Sequence, residues 1–164
     1  MIQKSQKGSS LIEAVVALSA VLVTIVGVSI LVATSISNSE FIANQNAANK
    51  YAQEGIEHLR SIKNTNYDAF IDEYDDGGQH CLPADFVPTL PSQKESCPRL
   101  NDTFIRTVLL EDTNSCGTSP GDLEKQVTVT VYWQSGKCNT SSGSSFCHSS
   151  EVVTCLNKTE FDLP

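Results

Sequence analysis

Cys81, Cys97, Cys116, Cys138, Cys147 and Cys155 are the side chains best suited to covalent chemistry, and all six lie after the long apolar segment near the N-terminus. An even count points to disulfides formed in an oxidising compartment, and six cysteines allow fifteen pairings among which the spacing does not choose. A structural zinc site needs close pairs such as Cys-x-x-Cys, whereas the nearest pair here, Cys147 and Cys155, has seven residues between its members. Metal enters the reading only through His80 beside Cys81 and His148 beside Cys147, and disulfides are the stronger expectation. Asp72, Asp75 and Asp76 precede Gly77-Gly78, but their spacing does not match the alternating ligands of a calcium loop and reads as a solvated acidic turn. His58, between Glu57 and Leu59 on a polar helix, reads as a surface residue rather than a base. The chain has no His-Glu-x-x-His, no Gly-x-Ser-x-Gly and no phosphate-binding Gly-Lys loop, so the expectation is a non-enzyme without cofactor or metal.

The remaining reactive group is Glu13. It stands at the head of Ala14–Thr34, 21 residues without one charge. As a helix this run spans about 32 Å, the thickness of a bilayer core. A carboxylate at such a place must be desolvated, paired or held near the interface. A secretory signal peptide has a shorter apolar core with a small-residue cleavage site after it, and no clear Ala-x-Ala ends this one. A plain anchor, held with its N-terminus inside by Lys4 and Lys7, has no use for Glu13.

The stretch Lys7-Gly-Ser-Ser-Leu-Ile-Glu-Ala-Val-Val-Ala-Leu18 resembles the processing segment of type IV prepilins and type II secretion pseudopilins. The resemblance implies a leader, residues 1–8, that a prepilin peptidase removes between Gly8 and Ser9. Ser9 then becomes the N-terminus and the site of N-methylation. Glu13, fifth after the cut, pairs with the N-terminal amine of a neighbouring subunit and sets the assembly register. A buried carboxylate left alone costs several kcal/mol, so such a pair penalises any other offset. Ser9 stands where the family usually has Phe, and the apolar half lacks the Pro of many major pilins. A second stretch, Ala52-Gln-Glu-Gly-Ile-Glu-His-Leu-Arg-Ser-Ile-Lys-Asn-Thr-Asn-Tyr67, resembles the end of the long helix in minor pilins.

These groups need elements to carry them. Residues 9–34 are expected to be the transmembrane, filament-core half of one long helix. Residues 35–164 supply its amphipathic half and a globular β head. Phe41, Ala48, Ala52, Ile56, Leu59 and Ile62 form an apolar stripe able to pack on a sheet. Asn64–Tyr67 ends the helix, and Asp68–Leu100, with four of the six prolines, reads as loop. Thr103–Leu110, Gln126–Trp133 and Glu151–Leu156 read as strands. In the second, Val127, Val129, Val131 and Trp133 alternate with Thr128, Thr130 and Tyr132, one face toward the helix and one outward. The linkers Asp112–Glu124 and Gln134–Ser150 both contain cysteines, so disulfides there restrain long loops. The fold class is α+β: a long N-terminal helix with a small antiparallel sheet on its C-terminal half.

The net charge is −8; without residues 1–8 the chain keeps 9 basic side chains against 19 acidic ones. Lys94, Arg99, Arg106, Lys125 and Lys137 lie among these acids, a poor match for nucleic acid. The resemblance implies a structural subunit, minor rather than major, of a type IV pilus-like filament. Its partners are other pilin subunits, the prepilin peptidase, the assembly machinery and the membrane. It starts as a single-pass cytoplasmic membrane protein with its head outside and ends in an extracellular or periplasmic filament. The alternatives are a type II secretion pseudopilin and an uncleaved, membrane-anchored binding module.

Overall fold

The computed structural model describes residues 9–89, 96–112, 116, 124–135, 138 and 146–157. Helix α1 runs over Ser9–Thr65, and the chain divides into two compact units between Ile42 and Ala43. In the first unit every large apolar side chain from Leu11 to Val32 is at least half exposed, from 51% at Val32 to 72% at Val23. Leu and Ala favour helix, and the β-branched majority is tolerated because nothing crowds it from outside. Ser19, Thr24, Ser29 and Thr34 donate to the carbonyls of Val16, Val21, Ile25 and Ile30 at 2.8–2.9 Å. Each hydroxyl is thus satisfied within its own turn, as a helix in an apolar medium requires.

In the second unit the expected stripe becomes the helix contribution to the core: Ala48, Ala52, Ile56 and Leu59 are buried and Ile62 partly so, while Phe41 falls in the first unit. Small residues at 48 and 52 let the sheet approach closely, and Gly55 extends that small surface. Helix α1 stops because Asn66 turns to φ −157°, ψ 100° and accepts from the Ala69 N–H at 3.1 Å, capping a second helix, α2, Tyr67–Tyr74. Asp75 closes α2, and an Asp76 carboxylate oxygen accepts the Gly78 N–H at 2.8 Å, while Gly77 takes φ +75°.

Four antiparallel strands follow in sheet order β1 (Gln79–Cys81), β2 (Phe104–Glu111), β3 (Glu124–Trp133) and β4 (His148–Asn157). Each later strand expected from the sequence is present with bounds shifted by a few residues. The stretch 68–100, read as loop, instead contains most of α2 and all of β1. Period-2 alternation puts Phe104, Arg106, Val108 and Leu110 opposite Trp133, Val131, Val129 and Val127, all buried on the helix side. At about 1.5–3 kcal/mol for each large apolar side chain buried, this layer is the main driving force of the head.

The outward face departs from expectation. Thr130 is buried and Tyr132 partly covered, because Cys81, Cys97, Ile105 and Phe146 form a second small core against Tyr132. Thr107, fully buried on that face, accepts from Gln79 Nε2 at 2.9 Å. The disulfides are Cys81–Cys97, Cys116–Cys155 and Cys138–Cys147. The architecture is therefore α+β and pilin-like: a long N-terminal helix, a four-stranded antiparallel sheet packed on its C-terminal half, and three disulfides.

Candidate functional site

Gly8 lies outside the described residues; Ser9 opens α1, and Glu13 stands one turn further on, exposed. Four residues on a helix return to the same face, so the Glu13 carboxylate projects over the turn that Ser9 begins. No cation of the described chain pairs with it, and the exposed apolar side chains that follow have no cover within their own unit. A carboxylate at the head of an apolar surface is an arrangement that a bilayer or a second molecule must complete. By length and composition α1 can cross a membrane once.

In the head, the organising group is Arg106, 1% exposed and on the helix face of β2. Its Nε donates to the Leu82 carbonyl at 3.0 Å, one terminal nitrogen to the Tyr51 carbonyl at 3.0 Å and the other to the Pro83 carbonyl at 2.9 Å. Glu54 supplies a distant countercharge at 3.8 Å. The guanidinium also lies 4.4 Å from the centre of the Phe86 ring, whose other neighbour is His58, stacked at 4.0 Å. His58 is therefore not the plain surface residue expected. Burial, and then the Arg106 charge, lower its pKa, partly opposed by Glu73. A Cβ added at Gly55 would meet Arg106 Cδ at 3.1 Å, Val129 Cγ1 at 3.2 Å and Leu82 Cδ2 at 3.4 Å. Gly55 thus makes room for the arginine, a purpose readable only from its place in the buried stripe.

The acidic turn is also occupied. Lys125, buried at the start of β3, reaches Asp75 at 2.5 Å and Asp112 at 2.7 Å. Burial disfavours its charge, but the two carboxylates outweigh this and raise its pKa. Asp76 bonds His80 Nε2 at 2.9 Å; the Gly78 N–H and then His80 lower its pKa. Two of the three aspartates considered for calcium thus already have partners, and Asp72 is exposed. Nor do Arg106 and Lys125 form a basic surface; both are buried, and Lys94 and Lys137 lie outside the described residues.

No family model, curated protein or solved structure matches this chain.

The histidines flanking cysteines take different places. His80 points to the helix side of β1, against Tyr74, while Cys81 points to the opposite face. His148 opens β4 opposite Trp133, its Nε2 2.8 Å from Ser135 Oγ, and a ring nitrogen lies within 4.8 Å of both sulfurs of Cys138–Cys147.

Proposed function

We propose that this chain is a structural subunit, minor rather than major, of a type IV pilus-like filament, processed after Gly8 and registered through Glu13. The observation that carries the reading is Glu13, exposed at the head of an apolar helix that is itself exposed throughout. In this reading the apolar half of α1 first lies in the cytoplasmic membrane with the disulfide-bearing head outside. Removal of residues 1–8 leaves the Ser9 amine as a cation one turn before the carboxylate. Extraction from the bilayer exchanges lipid for neighbouring helices, which leaves the apolar side chains covered at every stage. Glu13 then pairs with the Ser9 amine of an adjacent subunit, and any axial offset strands a desolvated carboxylate. The head contributes stability and outer surface rather than chemistry.

Filament incorporation of Glu13→Ala, set against Glu13→Asp, tests this. Glu13→Ala should reach the membrane at the normal level and fall at least about tenfold in sheared filaments, the equivalent of 1.4 kcal/mol or more per subunit. Glu13→Asp should recover part of the loss. Normal incorporation of Glu13→Ala would rule out the registering role.

A further inference from the structure

We infer that Cys138, Cys147 and His148 form a redox-gated metal site: closed as a disulfide, and able to hold one zinc ion once that disulfide is reduced. Both sulfurs and a His148 ring nitrogen lie within 4.8 Å of one another. Tetrahedral zinc, with bonds of about 2.3 Å to sulfur and about 2.0 Å to nitrogen, needs these atoms roughly 3.5–3.8 Å apart. Opening the disulfide lets the two sulfurs part from bonding distance to that spacing, while the imidazole nitrogen, at most 4.8 Å from each, has to close by about 1 Å at most. Among the described residues, this is the one group of His, Cys, Asp or Glu side chains whose ligand atoms converge in this way.

The surroundings support the assignment. Pairing of His148 with Trp133 fixes its backbone at the end of the β3–β4 ladder, and Ser135 Oγ, two residues beyond β3, holds the imidazole at 2.8 Å. Such outer contacts orient metal-binding histidines. The cysteines sit on the accessible side of the site, Cys147 exposed and Cys138 half-buried. A reductant can reach them, whereas Cys81–Cys97 is enclosed in the second core. The balance is simple. A dithiol gives two electrons and two protons, becomes a disulfide and leaves two thiols; zinc then displaces the two thiol protons, with solvent as fourth ligand. Two thiolates and an imidazole suit zinc better than hard cations such as calcium or magnesium. The ion would close the same loop that the disulfide closes, so the end of the sheet keeps its clip in either redox state. The inference does not depend on filament assembly.

The test uses the full chain in detergent, carrying Cys116→Ser and Cys155→Ser so that one accessible disulfide remains. A phosphine reduces it, taking up oxygen from water, and is then removed; cobalt and zinc are titrated without oxygen. The expected result is one cobalt ion per chain, with thiolate-to-cobalt charge transfer and tetrahedral bands, displaced by one zinc. The unreduced protein should bind none. His148→Gln should weaken zinc binding at least about tenfold. X-ray absorption on the zinc form, which needs no further variant, should count two sulfurs and at least one imidazole. Absence of the thiolate band after reduction, equal affinity in His148→Gln, or a zinc shell without imidazole would overturn the proposal.

Discussion

Arg106 shows how a charged residue comes to belong in a core. Three carbonyls from two segments, Tyr51 on α1 and Leu82 and Pro83 after β1, end on one guanidinium. Only a planar group with several donors meets that geometry. Arg106→Lys should therefore fail nearly as badly as Arg106→Met, because the three donors of an ammonium share one nitrogen, which cannot stand about 3 Å from acceptors now served by three different nitrogens. The Pro83 carbonyl keeps the Phe86 N–H and the Tyr51 carbonyl its helix bond, but three charge-assisted bonds are lost and the Leu82 carbonyl loses its donor. At about 1.5–3 kcal/mol for a bond to a charged group, a loss on the order of 3 kcal/mol or more is expected. Trp133, the single tryptophan and 1% exposed, reports head unfolding by fluorescence in a urea titration. Gly55→Val belongs with this prediction. It removes the flexibility of glycine but drives branched carbon into Arg106 and Val129, and overpacking should win by roughly 1–3 kcal/mol. A Gly55→Val head as stable as the natural one would mean that the contact relaxes freely. In the sequence Arg106 stands only as one of several cations lying among acids, since a strand pattern does not distinguish a buried arginine from an exposed one. The three acceptors are separated from it by 23 to 55 positions.

At the scale of elements, sequence reasoning succeeded where periodicity is long. The 48–52–56–59 stripe and the Val127–Val129–Val131–Trp133 alternation both mark the faces that the structure buries. It failed for α2 and β1. Helix α2 has eight residues, and β1 has three that exist as a strand only by pairing with Val108 and its neighbours far along the chain. Such elements come from tertiary contact and leave little local pattern. The pairing of the cysteines was illegible for the same reason. The Cys81–Cys97 bridge joins β1 to the second core, and its removal by Cys81→Ser with Cys97→Ser should cost about 3 kcal/mol from loop closure alone. A change below about 0.5 kcal/mol in urea melts would show that the second core stands without it.

The His58–Phe86–Arg106 stack links α1, the segment after β1 and β2, and it gives these elements a pH dependence. The folded pKa of His58 is lowered, so folding favours its neutral form. Its contribution is present above the unfolded value, about 6.5, and is lost as pH falls toward and through the lower folded value. Head stability in the natural chain should therefore drop between about pH 7 and 5, and His58→Phe should flatten that part of the curve. Identical pH profiles for the two would remove His58 from this role. Lys125 acts at the other end of the scale: its raised pKa preserves the Asp75 and Asp112 ties until strongly alkaline pH, above about 10.4, where they are lost.

For the whole molecule, the two ends of α1 obey different solvents. From Ala43 onward the helix is one layer of a head, whereas the apolar side chains before it have no partner within their own unit. The α+β arrangement was legible in the sequence because charge disappears for 21 residues and then returns with an amphipathic stripe. The stretch that resembles a processing segment is legible only as a motif, and Gly8 within it lies outside the described residues. The central claim, entry into a pilin pathway, therefore rests on a chemical event at one peptide bond. The direct measurement is the intact mass and N-terminal sequence of the protein from cells with and without prepilin peptidase. The account predicts peptidase-dependent loss of residues 1–8, leaving Ser9, free or methylated, as the first residue. An intact Met1 in both cells would contradict it and leave a membrane-anchored head that never enters a filament.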